Sequence, residues 1–374
     1  MEYTREKVLE ALGKVRYPDK NMDIVSLNMV SDLKIEGKKI SFTIIFPNAN
    51  SPFEKSIVKA CEATIKALVG SDIEANIKTA NKIAAAPIKS QEEESLKGVK
   101  NIIAVASGKG GVGKSTVASN LAVSLASKGA KVGLLDADIY GPSIPKMFNV
   151  EGERPYLKKV NGKDKIVPIE KYGVKILSIA FFVRPEDAII WRGSMATSAL
   201  KQFINDTIWG ELDYLLLDLP PGTGDIHLTM VQTIPVTGGV IVSTPQPVAV
   251  ADAIKGISMF RNETINVPIL GLIENMSWFT PEELPDNKYY IFGKDGLKNL
   301  SEKENIPLLG QIPLVQSIRE GGDNGNPIAL NNESITGKAF NDLATKVIDA
   351  LNERNEKLDP TKVVQIDPNA SCAT

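Results

Sequence analysis

The apolar positions change their rhythm once along the chain. In residues 4–16, Val8, Leu12 and Val15 recur at helical spacing. Residues 24–30 are apolar enough for a buried strand, and 35–40, with Gly37 inside, reads as a hairpin turn. Beyond it Ile40, Phe42, Ile44 and Phe46 alternate, as a half-buried strand requires. Helical period returns over 53–69 through Ile57, Cys61, Ile65 and Leu68, and 73–78 predicts a third strand. Together these predict a small α+β domain over residues 1–86. A polar, acidic, proline-containing stretch over 87–99, PIKSQEEESLKGV, reads as a linker.

After the linker, short apolar runs alternate with helical stretches. The runs are 102–106, 132–135, 174–179, 214–217, 239–242, 269–273 and 307–312. Several are apolar throughout, as parallel strands covered on both faces should be. Residues 100–355 therefore predict an α/β domain with a doubly wound, mostly parallel sheet. Its ligands belong beyond the carboxyl ends of the strands. A last helix is expected over 337–354 and a loose tail over 356–374. No internal repeat interrupts this order.

Composition narrows the chemistry. The formal net charge of -2 supplies no general basic field, so neither nucleic acid nor a membrane surface is expected as a partner. No run approaches the roughly 18 apolar residues of a membrane helix, and the opening MEYTREK lacks a secretory apolar core. The expected location is the cytoplasm. Two cysteines, Cys61 and Cys372, and one histidine, His227, exclude a disulfide framework. They also exclude a zinc or iron–sulfur site built from the roughly four Cys/His ligands of one chain.

The candidate chemistry begins at Gly108-Lys109-Gly110-Gly111-Val112-Gly113-Lys114-Ser115-Thr116, between a predicted strand and a predicted helix. Glycines let backbone N–H groups approach phosphate oxygens, and the helix N-terminus adds positive potential. Lys114 suits the β- and γ-phosphates and Ser115 suits Mg²⁺. Asp136 and Asp138 end one strand and Asp218 ends another, where carboxylates can orient Mg²⁺ and its waters. Asp218 takes the metal role, Asp138 positions the attacking water, and Asp136 stands near the metal. Pro220-Pro221-Gly222-Thr223-Gly224-Asp225 suits a switch loop that responds to the γ-phosphate.

Lys109, directly after the first glycine, marks the deviant Walker A group. The chain resembles the Mrp/ApbC P-loop ATPases, relatives of MinD and of the nitrogenase iron protein. The resemblance rests on GKGGVGKST, LLDADIYGPSIP, IIWRG, LDYLLLDLPPGTGDIHLT, VSTPQPVAVADAIKG and GLIENMS. It implies a homodimer in which Lys109 reaches the nucleotide of the sister subunit, and an Asn275 that hydrogen-bonds adenine. It also implies ATP and Mg²⁺ as ligands and transfer of an iron–sulfur cluster to apoproteins. Residues 1–86 resemble the small domain of iron–sulfur assembly proteins. The family's Cys-x-x-Cys pair, which holds the cluster on the dimer axis, has no counterpart in residues 278–293. Cys372, one per subunit, is a possible substitute ligand, and Cys61 reads as a buried thiol. His227 reads as a switch contact or a structural histidine. Trp278, Phe279, Tyr289, Tyr290 and Phe292 form either an interaction surface or packing. A cluster-free, nucleotide-gated protein-binding switch stands as the alternative function.

Overall fold

Each parallel strand of the main sheet ends at or just before a polar or acidic residue, Ser107, Asp136, Ser178, Asp218, Ser243, Glu274 or Gln311, and these line the sheet's carboxyl edge. The computed structural model describes residues 4–18, 22–27, 29–46, 53–81, 96–139, 141–182, 193–224, 227, 230, 233–263, 265–281, 283–284 and 286–362. The chain divides into two units, Met1–Ser90 and Gln91–Thr374.

The first unit contains α1 (Arg5–Leu12), β1 (Arg16–Tyr17), β2 (Met22–Asp23), β3 (Val30–Glu36), β4 (Lys39–Phe46), α2 (Glu54–Leu68) and β5 (Glu74–Asn81). β4 is the central strand, antiparallel to β3 and parallel to β5. Its alternating Ile40, Phe42, Ile44 and Phe46 are all buried, and Ile57, Cys61 and Ile65 of α2 close the same core. The strand expected over 24–30 is instead a turn leading to β3. The Asp23 carboxylate accepts from the Val25 and Ser26 N–H groups at 3.0 and 2.8 Å, which holds that turn against an extended course. Leu68, expected on the buried face of α2, is 61% exposed in its last turn.

The second unit continues with β6 (Val99–Ala106), α3 (Lys114–Ser127), β7 (Val132–Asp136), α4 (Ile144–Met147), β8 (Tyr156–Val160), β9 (Lys163–Val167), β10 (Ile169–Lys171) and β11 (Val174–Ser178). Then come α5 (Gly193–Asp206), β12 (Leu212–Asp218), β13 (Gly238–Ser243), α6 (Pro247–Arg261), β14 (Ile269–Glu274), α7 (Gly296–Glu304), β15 (Leu308–Gln311), α8 (Gln316–Asp323) and α9 (Ile335–Lys357). The main sheet runs β10-β11-β7-β12-β6-β13-β14-β15. All its pairings are parallel except that of the edge strand β10 with β11.

Period-2 geometry divides each apolar strand between two cores. Ile102, Ala104 and Ala106 of β6 face a core that includes Leu200 of α5 and Ile257 of α6. Ile103 and Val105 face one that includes Leu121 of α3 and Leu343 of α9. All seven expected parallel strands form, because a strand covered on both sides is stabilised by apolar side chains on both. Edge β10 and the β8–β9 hairpin were not anticipated; they are short or exposed and carry little apolar signal. Leu96 is already buried in the second unit and β6 begins at Val99, so 96–99 belong to this unit rather than to a linker. α9 extends to Lys357, and the Arg354 guanidinium donates to the Asp359 carbonyl and Thr361 hydroxyl, so the tail is anchored at least to there.

Candidate nucleotide site

The strand register brings the predicted carboxylates together. β7 and β12 are parallel neighbours with Asp136 opposite Asp218, and β12 aligns Asp218 with Val105 of β6. Both aspartates and the glycine loop therefore meet at one end of the sheet, the carboxyl end.

The loop joins β6 to α3. Gly113, the N-cap of α3, has φ 82°, a conformation L residues avoid, and its missing side chain leaves room for the Asn275 amide. A side chain on Gly108 would collide with the Asp252 carbonyl of α6, so glycine there permits loop and helix to meet. Gly110 and Gly111 are exposed, whereas Val112 is buried and anchors the loop. Ser115 and Thr116 lie half-buried in the first turn of α3. Lys109 is half-buried and makes no ion pair among the described residues.

Lys114 is only 6% exposed. Its Nζ donates to Asp218 Oδ1 at 2.6 Å and to Ser115 Oγ at 3.3 Å, and lies 3.9 Å from Asp138 Oδ2. Burial drives the carboxyl pKa of Asp218 upward, opposed chiefly by the Lys114 charge. Burial and then the Asp218 charge push Asp136 up as well. Asp136 accepts from Ser178 Oγ at 3.0 Å, Asp138 N at 3.2 Å and Ile144 N at 3.3 Å. It thereby positions the β7–α4 loop. Asp218 Oδ2 is buried with no partner among the described residues. An orphaned carboxylate oxygen beside a serine hydroxyl is the donor chemistry a Mg²⁺ ion takes. Asp138 is the most accessible of the three, its Oδ1 accepting from Gly141 N at 3.2 Å.

In the expected switch, Pro220 is buried and Gly222 N donates to Ser107 O at 2.9 Å, tying that segment to the phosphate loop. Pro221, Thr223 and Gly224 are exposed, and Asp225 lies outside the described residues. His227 is buried, and burial lowers its imidazolium pKa. Asn275 is buried; its Nδ2 donates to Val112 O at 2.8 Å, a brace on the phosphate loop that the sequence did not reveal. A cavity of about 390 Å³ lies beside Asn275 and Thr116, with Met276, Pro313, Val315 and Arg319 on other sides. Its size and mixed apolar lining suit a purine next to the phosphate cradle. The loop after β15 supplies Pro313–Val315, which only the position at a strand's carboxyl end could have flagged. Glu274, in the same GLIENMS run, is structural: it accepts from Leu297 N at 2.7 Å and Gln311 Nε2 at 2.8 Å.

The segment after β14 folds back on itself. Phe279 and Tyr289 exchange backbone hydrogen bonds of 2.8 Å, and Lys288 Nζ lies 4.0 Å from the Trp278 ring centre. Trp278 and Phe279 are half-buried while Tyr289 and Tyr290 are exposed, so the cluster both packs and faces outward. Cys61 is sealed inside the first unit, with its thiol pushed up to about 12 by burial, and Cys372 lies outside the described residues.

The family described as NUBPL iron-transfer P-loop NTPase matches residues 98–348, spanning strands β6–β15 and the whole glycine loop. The chain belongs to this family. Residues 5–77 match a second family, described as iron-sulfur cluster assembly protein. The iron-sulfur cluster carrier protein of Synechocystis is 42% identical over 348 residues, covering 92% of this chain and 97% of that protein. The iron-sulfur cluster transfer protein NUBPL of Dictyostelium discoideum is 47% identical over 258 residues, covering 68% and 78%. Among solved structures, a nucleotide-binding protein from Archaeoglobus fulgidus in complex with ADP is 38% identical with TM-score 0.56, covering 63% of this chain and 91% of that one. As a P-loop NTPase of the NUBPL family, the chain carries its glycine loop, strand-end carboxylates and base-sized cavity on one face. No helix among the described residues is long and apolar enough to cross a membrane.

Proposed function

We propose that the protein is a cytoplasmic, homodimeric Mg²⁺-dependent ATPase whose cycle serves delivery of iron–sulfur clusters to apoproteins. The observation that carries the ATPase reading is Lys114, buried between Asp218 and Asp138 with an orphaned Asp218 oxygen alongside. In this arrangement the lysine is stored on the site's own carboxylates. An incoming triphosphate offers more negative charge, draws Lys114 away and fills the cradle of loop N–H groups.

Gly108 to Thr116 then hold the phosphates, and Asn275 with its cavity holds adenine through the amide oxygen left free by the Val112 contact. Ser115 and Asp218 are the residues that would hold Mg²⁺, with Asp136 and Asp138 around its waters; bound there, the ion neutralises phosphate oxygens. Asp138, relieved of Lys114, accepts a hydrogen bond from the attacking water. The water oxygen bonds to the γ-phosphorus as the bond to the β–γ bridging oxygen breaks, yielding ADP and phosphate. Lys109 of the sister subunit stabilises the charge that develops on the transferring group. Residues 220–225 relax as the γ-phosphate leaves.

The cargo reading rests on family membership, and the names of the relatives favour it over a cluster-free switch. The described donors do not form a cluster site: the one described cysteine, Cys61, lies in the core of the first unit, and no described thiolate stands near the carboxylates of the glycine loop. Cys61 is buried and its raised pKa disfavours the thiolate that iron requires. No transfer step is therefore assigned to named residues, and Cys372 is the one thiol left to serve. Anaerobic reconstitution with iron and sulfide tests this. A visible chromophore that survives desalting, is lost in Cys372→Ser and passes to an apo-ferredoxin supports the carrier. A colourless protein that still hydrolyses ATP rejects it.

A further inference from the structure

The β8–β9 hairpin stands outside the main sheet and forms a two-stranded sheet of its own. β9 is its inner strand. Ile166 is buried in the core, its carbonyl accepts from Ile208 N at 2.8 Å, and Lys165 Nζ donates to Asn205 O and Asp206 Oδ1 at 2.8 Å each. β8 is the outer strand. All five of its residues are exposed, and it pairs only with β9 among the described residues. Tyr156 and Leu157, 64% and 62% exposed, present large apolar side chains to water on this open edge. Such an edge offers unpaired N–H and C=O groups to another strand.

The register decides what that edge would accept. Lys158 faces Lys165 and Val160 faces Lys163, so Lys158, Lys163 and Lys165 share one face with Tyr156 and Val160. Like charges directly opposed across a ladder destabilise it, and Asp206 already offsets Lys165. Lys158 and Lys163 make no ion pair among the described residues. The same face lines a cavity of about 550 Å³ with Lys97, Trp209 and Glu211 on its far walls. Trp209 is wholly buried, and its indole N–H has no partner among the described residues. Between positions 156 and 167 the chain carries four lysines and one aspartate, although its net charge is -2.

We propose that this face and its cavity dock an extended, acidic segment of a partner protein, which adds a strand to the free edge of β8. On the face shared by Tyr156, Lys158 and Val160, the acidic side chains of the added strand lie beside Lys158 and reach towards Lys163 one strand further in, while its apolar side chains fall on the opposite face beside the exposed Leu157. A second copy of this chain is a poor occupant. Antiparallel pairing of β8 with itself about its midpoint sets Lys158 against Lys158. Gly98 and Gly210, which precede β6 and β12, lie on the cavity wall. The docking face is thus at the amino ends of the parallel strands, opposite the nucleotide loop. Binding there does not depend on the ATPase reading and leaves the phosphate cradle open.

The test uses the full chain and a fluorescein-labelled peptide of alternating glutamate and valine, followed by anisotropy at low salt. Saturable binding that weakens with added salt is expected. The double variant Lys158→Glu/Lys163→Glu should weaken it by about tenfold or more, with ATP hydrolysis unchanged. N-methylation of alternate peptide amides should abolish it, since main-chain pairing then fails. The proposal is overturned if the peptide fails to bind at millimolar concentration, or if a lysine–valine peptide, the N-methylated peptide or the double variant performs equally. Two other results also overturn it, each when the peptide itself does not bind. One is capture of phosphatidylserine vesicles, lost in the double variant; the other is concentration-dependent dimerisation, lost in the same variant.

Discussion

Replacing Lys114 by methionine keeps most of the aliphatic stem and removes the cation beside Asp218. Asp218 is wholly buried and Lys114 nearly so, so water cannot take the lysine's place. Cutting one partner from a buried pair costs about 3–5 kcal/mol. The loss has a ceiling, because Asp218 can escape by taking up a proton. From an ordinary carboxyl value of 3.8, that uptake costs about 4 kcal/mol at pH 7 and about 2 kcal/mol at pH 5.5. The sign follows from linkage. A folded-state pKa raised above the unfolded value destabilises the fold above the unfolded pKa, and the penalty shrinks as pH falls. Urea unfolding should therefore show the Lys114→Met deficit halving between pH 7 and pH 5.5. Adding Asp218→Asn should restore most of the loss and flatten the pH slope. Tryptophan fluorescence is a suitable probe, since all three tryptophans, Trp191, Trp209 and Trp278, lie in the second unit. Equal stability of Lys114→Met and wild type at pH 7, or a deficit that ignores pH, refutes the buried-pair argument.

Lys109→Ala should lower ATP turnover by about 10³-fold or more while nucleotide binding, read by a fluorescent ATP analogue, persists; unchanged turnover rejects the crossing lysine. Gly113→Ala must place a methyl group into the Asn275 amide at positive φ, and isothermal titration should find ATP binding lost. Asn275→Ala removes the brace on Val112 O, and the same titration should find ATP bound about fivefold more weakly, since one buried hydrogen bond contributes about 1 kcal/mol. Cys61 should resist Ellman's reagent in the native protein and react only in denaturant, as its burial and raised pKa demand; rapid native labelling of that position, located by mass spectrometry, contradicts the assigned core.

Much of the candidate nucleotide site is visible in the sequence because its parts are local. A glycine loop between strand and helix needs only contiguous residues, and a strand-end aspartate announces itself where an apolar run stops. The same locality misled at residues 24–30, where apolar residues suggested a strand. There one carboxylate, Asp23, captured two backbone N–H groups and made a turn. The family resemblance implies an adenine contact for Asn275, whereas its buried donor braces Val112, a partner 163 residues away that no local pattern exposes. The hairpin of β8 and β9 escaped notice because a solvent-facing ladder has no apolar period to read.

By itself the sequence determined the two-part organisation, the parallel α/β class and the glycine loop between strand and helix, since each follows from periodicity and backbone freedom over short stretches. Tertiary structure alone decided that Asp136 and Asp218 stand side by side, that Lys114 rests on Asp218, and that three lysines share one face of the β8–β9 hairpin. Those outcomes depend on register between distant strands and on which charges burial forces together, and neither is encoded in any contiguous stretch of residues.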